Sequence, residues 1–298
     1  MDGGVQGDQR IQMVKFLSKQ VHLPYVGPVG LWVMIFVFIP IGVAVYLSFM
    51  QAGPFGRIIH EFTLENYQAL FTRARLTILA RSLQYAVVTN IVCLLIGYPL
   101  AYWIVRHGGR FKLLLLGLMI VPSWISQLLR LYALRRLAGD PGIINSILLG
   151  LGLISSPLKM LFNPTVVVFG LIYVWLPFMM LPIYASLEGL DQSLLEASVD
   201  LGATPFKRFF TVTLPLTRGG VFAGTILCLI PAFGDWLSPL VLGGDRVLMA
   251  GSLVRLYFIR VGNFPLGAAV AVILTVAVLL MIYIFIKLGG EEAVERLV

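Results

Sequence analysis

Charge is what this sequence has least of. Only 12% of its 298 residues are Asp, Glu, Lys or Arg, roughly half the share of an average soluble domain. Hydrophobic residues make up 59%, and the mean hydropathy is +0.93. A water-soluble fold of this size cannot clothe its surface with so few charges, and the same numbers exclude intrinsic disorder. Cysteine is nearly absent. Cys93 and Cys228 each lie inside an apolar run, with neither zinc-site spacing nor a disulfide framework, so both are expected to be buried packing residues. The three histidines, His22, His60 and His107, are far apart. There is no G-x-x-x-x-G-K-[ST] phosphate loop, no H-E-x-x-H and no G-x-S-x-G. The chain is therefore not expected to hydrolyse ATP, to be an enzyme of another kind, or to hold a metal or cofactor of its own.

What is present is a series of long uncharged runs. No Asp, Glu, Lys or Arg falls between Gln20 and Gly56, from Ser82 to Val105, from Leu113 to Leu129, from Met160 to Leu187, from Gly219 to Gly234, or from Val261 to Ile286. A membrane-crossing helix needs about 20 mostly apolar residues. The runs predict six spans, at 29–50, 82–105, 112–135, 165–187, 220–241 and 266–287. They are too long, and too apolar on all sides, for outer-membrane strands. The expected class is an all-α integral membrane protein: a lead of residues 1–28, a six-helix domain over 29–288 and a tail of 289–298. The first span is expected to remain as an anchor, being too long for the apolar part of a signal peptide.

Proline enters five of the spans, as Pro40, Pro99, Pro122, the pair Pro177/Pro182, and Pro231 with Pro239. Each removes a helical hydrogen bond and predicts a hinge, although membrane helices also carry proline as ordinary composition. The net charge of +8 sits in short connections beside spans, as is usual for membrane proteins, so no nucleic-acid partner is expected. The 22 Lys and Arg divide evenly between the two sides of a six-span chain, so the positive-inside rule alone leaves orientation open.

Between the fourth and fifth spans, residues 188–218 hold the sequence LLEASVDLGATPFKRFFTVTLPL. Leu194, Leu195, Val199 and Leu201 recur at helical spacing. Gly202 suits a helix stop, and Thr204-Pro205 suits a fresh start. The second short helix is expected to present Phe206, Phe209 and Phe210 together. An exposed apolar face of this kind suits a partner protein or a lipid surface.

Here the sequence resembles the membrane subunits of binding-protein-dependent ABC importers. Their loop reads E-A-A, three residues, G, nine residues, I-x-L-P. This chain has Glu196-Ala197-Ser198, Gly202 and Val212-Thr213-Leu214-Pro215 in that register, departing only at Ser198 and Val212. The stretches VPSWISQLLRLYAL, GLIYVWLPFMMLPIYASLEGLD and IPAFGDWLSPLVLGG look like spermidine/putrescine-type permeases, and the resemblance runs from about Tyr98 to Leu280. It implies the type I importer permease fold in a prokaryotic inner membrane, with both termini cytoplasmic. It also implies an ABC ATPase dimer that uses ATP and Mg, a second permease that is a different chain, and an extracytoplasmic solute-binding protein. On this resemblance Glu196, Ala197, Ser198, Asp200, Gly202, Phe206, Leu214 and Pro215 couple the chain to the ATPase, with Glu196 holding the loop through a hydrogen bond or ion pair.

A solute pathway needs polar groups inside spans. Asp235 is the only acid within the predicted spans, and an intramembrane acid is costly enough to suggest a function. Followed by Trp236, it suits a protonated amine. The competing readings are an interfacial acid, or an ion pair with Arg130 or Arg255. Tyr173, Trp175, Trp124 and Gln127 are further pathway candidates, though membrane aromatics also serve as belt and packing residues. Arg130, Arg135 and Arg136 form a cationic cluster that disfavours a polycation and welcomes a carboxylate or phosphonate. The solute expected from the resemblance is a polyamine, with an anionic or zwitterionic solute such as an opine or phosphonate as the alternative. A secondary transporter would need an internal repeat or several intramembrane acids, and neither is present. The turn Asp140-Pro141-Gly142 is expected to lead into a short apolar helix over 143–154.

Overall fold

The computed structural model describes residues 27–289. The expected lead, apart from its last two residues, and the tail beyond 289 lie outside the described residues. Twelve α-helices, several single 3-10 or π-helical turns and one small hairpin make up the described residues. Helices α1 (Gly27–Ser48), α3 (Arg73–His107), α7 (Pro164–Glu188) and α12 (Phe264–Gly289) are each long and apolar enough to cross a bilayer. Two bent pairs bring the number of crossings to six if each pair counts once. The first joins α4 (Lys112–Trp124) to α5 (Gln127–Ala138) and the following α6 (Ile143–Gly150). The second joins α9 (Pro205–Leu216) to α10 (Arg218–Gly234). Short helices α2 (Glu65–Leu70), α8 (Gln192–Asp200) and α11 (Ala250–Arg255) fill the connections.

The core is a three-helix packing of α3, α7 and α10, while α1 leans on α12. Cys93, Tyr98, Ala101 and Ile104 of α3 meet Met179, Met180, Ile183 and Leu187 of α7 and Cys228 of α10. Both cysteines are buried free thiols. A second cluster joins Leu131 of α5 to Val167, Leu171 and Val174 of α7, and to Val241, Leu242 and Met249. Gly224 sets the approach of α10 to α7, because an added Cβ would lie 2.6 Å from the Met179 carbonyl oxygen. Small residues let membrane helices approach closely where lipid supplies no hydrophobic drive to associate.

Several boundaries differ from the sequence expectation. The third span is not one helix. It breaks at Ile125–Ser126, where the backbone becomes extended and the axis turns by 95°. Pro122 removes a helical donor just before the break, and the residues beyond it carry Arg130, Arg135 and Arg136, which a lipid-facing helix rejects. The fifth span ends at Gly234 rather than Val241, because the Asp235 backbone is extended and starts a new, wide helical turn. Pro99, Pro177 and Pro182 lie inside helices that continue past them, whereas Pro122 and Pro231 each stand within a turn of a helix end. The hairpin of β1 (Met50–Ala52) and β2 (Ile58–Phe62) had no counterpart in the sequence reading. Asn66 Nδ2 ties it to the end of α1 by donating to the carbonyls of Ser48 and Met50 at 2.9 and 2.8 Å.

Gly224→Ala is expected to cost about 1–3 kcal/mol of stability through the clash with the Met179 backbone. Gly97, on the opposite helix, meets only side chains at 3.6 Å and beyond, so Gly97→Ala should be neutral or gain up to about 1 kcal/mol. Thermal unfolding of the two variants in detergent checks this, and equal losses in Tm would refute the account of the α7–α10 contact.

Candidate functional site

The loop after α7 is built by local capping. Glu188, the last residue of α7, pairs with Lys112 at the start of α4 (2.5 Å). Asp191 caps α8, its carboxylate accepting the Ser193 backbone N–H at 2.9 Å. That hydrogen bond holds the Asp191 carboxyl below the usual carboxylate range, so the cap is fully present above that range and is lost as pH falls through the lowered value. Leu195 and Ser198 face inward, and the Ser198 hydroxyl donates to the Leu195 carbonyl (2.7 Å). Serine thus replaces alanine at this position by bonding within its own helix. Glu196, Ala197 and Asp200 are exposed.

At the end of α8, Gly202 adopts φ +76°. Its N–H reaches the Val199 carbonyl at 2.8 Å, and the Ala203 N–H reaches that of Ser198 at 3.0 Å. This is a Schellman stop, for which glycine is favoured by its free access to the left-handed region. Thr204 then caps α9 by accepting the Lys207 N–H (3.3 Å). The middle of α9, Phe209–Thr213, widens into a π-helical turn. Pro215 lacks the N–H that would bond the carbonyl four residues back, which loosens the turn before it.

That widening divides the three phenylalanines. Phe206 and Phe210 pack together outward, with centroids 4.7 Å apart and exposures of 76% and 49%. Phe209 instead points inward and meets the rings of Tyr98 and Tyr102 edge-on at 5.5 and 6.0 Å. The expected exposed trio is therefore a pair plus an anchor. Likewise, of the four aliphatics at helical spacing only Leu195 is buried, while Leu194, Val199 and Leu201 are exposed. Leu214 packs partly into the core and Pro215 is exposed. The buried Thr217 hydroxyl donates to the Thr213 carbonyl (2.9 Å) and accepts from the Tyr98 hydroxyl (2.7 Å), at the 65° bend into α10.

Glu196 does not hold the loop through a side-chain bond among the described residues. The fastening comes from Gln192, whose Oε1 accepts from Arg106 Nη1 at 2.9 Å. Sequence reading missed Gln192, Tyr98 and Thr217. Their only sequence signal was a polar group at each end of an apolar run.

The second candidate region lies at the far end of α10 from this loop. Asp235 is 6% exposed and accepts four hydrogen bonds: from the backbone N–H groups of Leu237 (2.8 Å) and Ser238 (3.1 Å), the Ser238 hydroxyl (2.7 Å) and Gln127 Nε2 (2.9 Å). It pairs with neither Arg130 nor Arg255. The carboxylate caps the turn that follows it, and Gln127 brings α5 against that cap.

Arg130, one turn along α5 from Gln127, is buried. Its Cζ stands 5.8 Å from the Tyr173 ring centroid, and its Nε and Nη1 find no partner among the described residues. Arg255 rests over the half-exposed Trp236 ring at 5.7 Å. A buried guanidinium with unused donors is costly unless a group from elsewhere meets it. Trp175 packs on Phe178 at 5.4 Å, and its Nε1 is buried without a partner. The same holds for Thr89 Oγ1 and Asn90 Oδ1 on α3, two positions the sequence reading passed over. Trp124 is highly exposed at the α4 break and is not brought to the Asp235 cluster.

Asp235→Ala removes the cap and is expected to destabilise the chain by about 1–2 kcal/mol, whereas Asp235→Asn keeps an acceptor oxygen for the two backbone N–H groups and should lose much less. Thermal unfolding of both variants measures the difference, and equal losses would exclude a capping role.

Residues 93–288 match the family described as the inner membrane component of binding-protein-dependent transport systems. The chain is 36% identical over 274 residues to the spermidine/putrescine transport system permease protein PotB of Haemophilus influenzae, covering 92% of this chain and 96% of that one. It is 36% identical over 254 residues to PotB of Escherichia coli K12, covering 85% and 92%. In fold it is similar to a chain of a bacterial ABC transporter involved in import of the acidic polysaccharide alginate, with a TM-score of 0.72 at 15% identity over 93% of this chain and 98% of that one. Sequence and fold agree that the chain belongs to the family of binding-protein-dependent transport inner membrane components, with the fold of an ABC importer permease.

Proposed function

We propose that the chain is the membrane-spanning subunit of an ATP-driven polyamine importer, of the spermidine/putrescine class. The observation that carries this reading is the 36% identity to PotB proteins over nearly the whole of both chains. The proposed assembly has an ATPase dimer on the cytoplasmic side, a second and different permease chain, and an extracytoplasmic solute-binding protein. Both termini are cytoplasmic in this arrangement, and ATP and Mg are used by the ATPase subunits.

The exposed Phe206 and Phe210, together with Leu194, Val199 and Leu201, supply the apolar surface that the ATPase covers. Glu196, Ala197 and Asp200 surround it with polar groups, and Gly202 sets the turn between α8 and α9. Phe209, Leu214 and Thr217 transmit movement, because each ties α9 to the packed core: Phe209 against the Tyr98 and Tyr102 rings, Leu214 in the same cluster and Thr217 on the Tyr98 hydroxyl. A push on α9 is thus delivered to α3 and α10 rather than absorbed in a loose loop.

At the far end, the Asp235 carboxylate adjoins the half-exposed Trp236 in the chain, and Tyr173 lies on α7 under Arg130. A protonated amine is attracted by both the carboxylate and the ring quadrupoles. Gln127 orients the carboxylate, while Trp175 lies deeper on α7 and Trp124 at the entrance of the α4–α5 break. A second reading, import of an anionic or zwitterionic solute, is favoured by Arg130, whose buried free donors would be met by a carboxylate or phosphonate.

Reconstitution with partner subunits and binding protein, followed by ATP-dependent uptake of labelled spermidine, tests the proposal. Saturable uptake is expected, and Asp235→Asn is expected to raise the half-saturating spermidine concentration by about tenfold. ATP hydrolysis stimulated by a phosphonate or opine, with no spermidine uptake, would replace the polyamine reading by the second one. Gly202→Asp places a carboxylate on the surface proposed to meet the ATPase. It is expected to abolish uptake while leaving membrane insertion normal, and full uptake by the assembled variant would sink the coupling role of this turn.

A further inference from the structure

A cavity of about 580 Å³ lies beside the start of α7, at the opposite end of that helix from the coupling loop. Arg135 and Arg136 from the end of α5, Lys159 from the segment before α7, and Arg246 from the connection before α11 all line it. Asp140 is the one acid in the lining. None of the four cations makes an ion pair or a side-chain hydrogen bond among the described residues. The described ion pairs are Lys112–Glu188 and Arg260–Asp245, the second on the residue preceding Arg246. Four cations around one cavity repel one another, and an anion placed among them relieves that repulsion.

The cavity is built and held rigid. Asn145, fully buried in the first turn of α6, ties together the segments before and after that helix. Its Nδ2 donates to the carbonyls of Gly139 (2.9 Å) and Leu158 (3.0 Å), and its Oδ1 accepts the Leu158 N–H (2.8 Å). Phe162 is the one non-glycine residue with positive φ among the described residues, at +61°. Its N–H is tied to the Leu242 carbonyl at 2.8 Å, and a side chain at Gly244 would strike its ring at 2.9 Å. Arg135 lies over the same ring at 5.5 Å. Strained backbone held by its surroundings concentrates at binding sites.

A second, independent feature says what kind of anion fits. Ile143, Ile147 and Leu151 fall at successive four-residue steps along α6, and each is more than half exposed. Such a stripe is unfavourable in water and favourable at the boundary of acyl chains and headgroups. The cavity opens where α5 ends and α7 begins, the level at which span ends meet lipid phosphates.

From the cationic cavity and the apolar stripe beside it, we infer that this site holds the headgroup phosphodiester of an anionic phospholipid, with α6 lying in the membrane interface. The cations take the phosphate oxygens, Tyr132 and Phe162 flank the glycerol portion, and the α6 aliphatics meet the upper acyl chains.

The test uses the full chain purified with its partner subunits and placed in nanodiscs of phosphatidylglycerol mixed with phosphatidylcholine. Lipid retained after transfer to neutral detergent is counted by native mass spectrometry. Wild-type protein is expected to retain phosphatidylglycerol in preference to phosphatidylcholine. Arg136→Gln and Lys159→Gln should each weaken that preference by about fivefold, and Arg246→Gln, on a separate element, should do the same should either of the first two misfold. Unchanged preference in all three variants overturns the proposal. Displacement of the lipid by an equal concentration of soluble glycerol 3-phosphate also overturns it, in favour of a free-anion site. Loss of binding-protein docking in the variants with lipid retention unchanged overturns it in favour of a protein partner.

Discussion

Close backbone contact between α7 and α10 is the constraint on which the rest of this molecule depends. In a bilayer, apolar side chains gain little by leaving lipid for one another, so association rests on shape and on buried hydrogen bonds. Gly224 provides the shape by letting α10 reach the Met179 carbonyl. The hydrogen bonds are few and placed at the ends: Tyr98 to Thr217 at one end of the bundle, Gln127 to Asp235 at the other. Between them the core is almost wholly apolar, with Cys93, Met179, Met180 and Cys228 acting as compliant fillers.

This arrangement makes α7 and α10 stiff members with work at both ends. At one end the capped pair α8–α9 projects from the bundle, and its inward residues Phe209 and Leu214 join the same buried cluster as Tyr98. At the other end, the Asp235 cap ends α10 and begins the turn that contributes Val241 and Leu242 to the cluster under α5. Packed cores deform little, so the loop and the Asp235 turn are joined by stiff helices.

Charge is used sparingly and locally. Buried Asp235 is stabilised by four hydrogen bonds rather than by a counter-ion. Arg130 and Arg255 lie over aromatic rings instead. Four other cations, Arg135, Arg136, Lys159 and Arg246, line one cavity, to which Asp235 does not contribute.

Much of this was legible in the sequence. Each of the six uncharged runs lies over a long apolar helix or a bent pair of helices. The spacing Glu196–Gly202–Pro215 gave the helix–turn–helix of the loop, because capping and the left-handed glycine are local effects written in residue type. The cost of an acid within a span singled out Asp235, which lies just past the end of α10. What sequence could not decide was direction and partnership. Whether Phe209 faces in or out depends on one widened helical turn. Whether Asp235 pairs with an arginine or with Gln127 depends on the 95° turn after Trp124. The convergence of Arg135, Arg136, Lys159 and Arg246 depends on Asn145 holding together segments far apart in the chain. Local rules fix where helices start and stop, but the side of a helix that meets another is chosen by the packing of all of them at once.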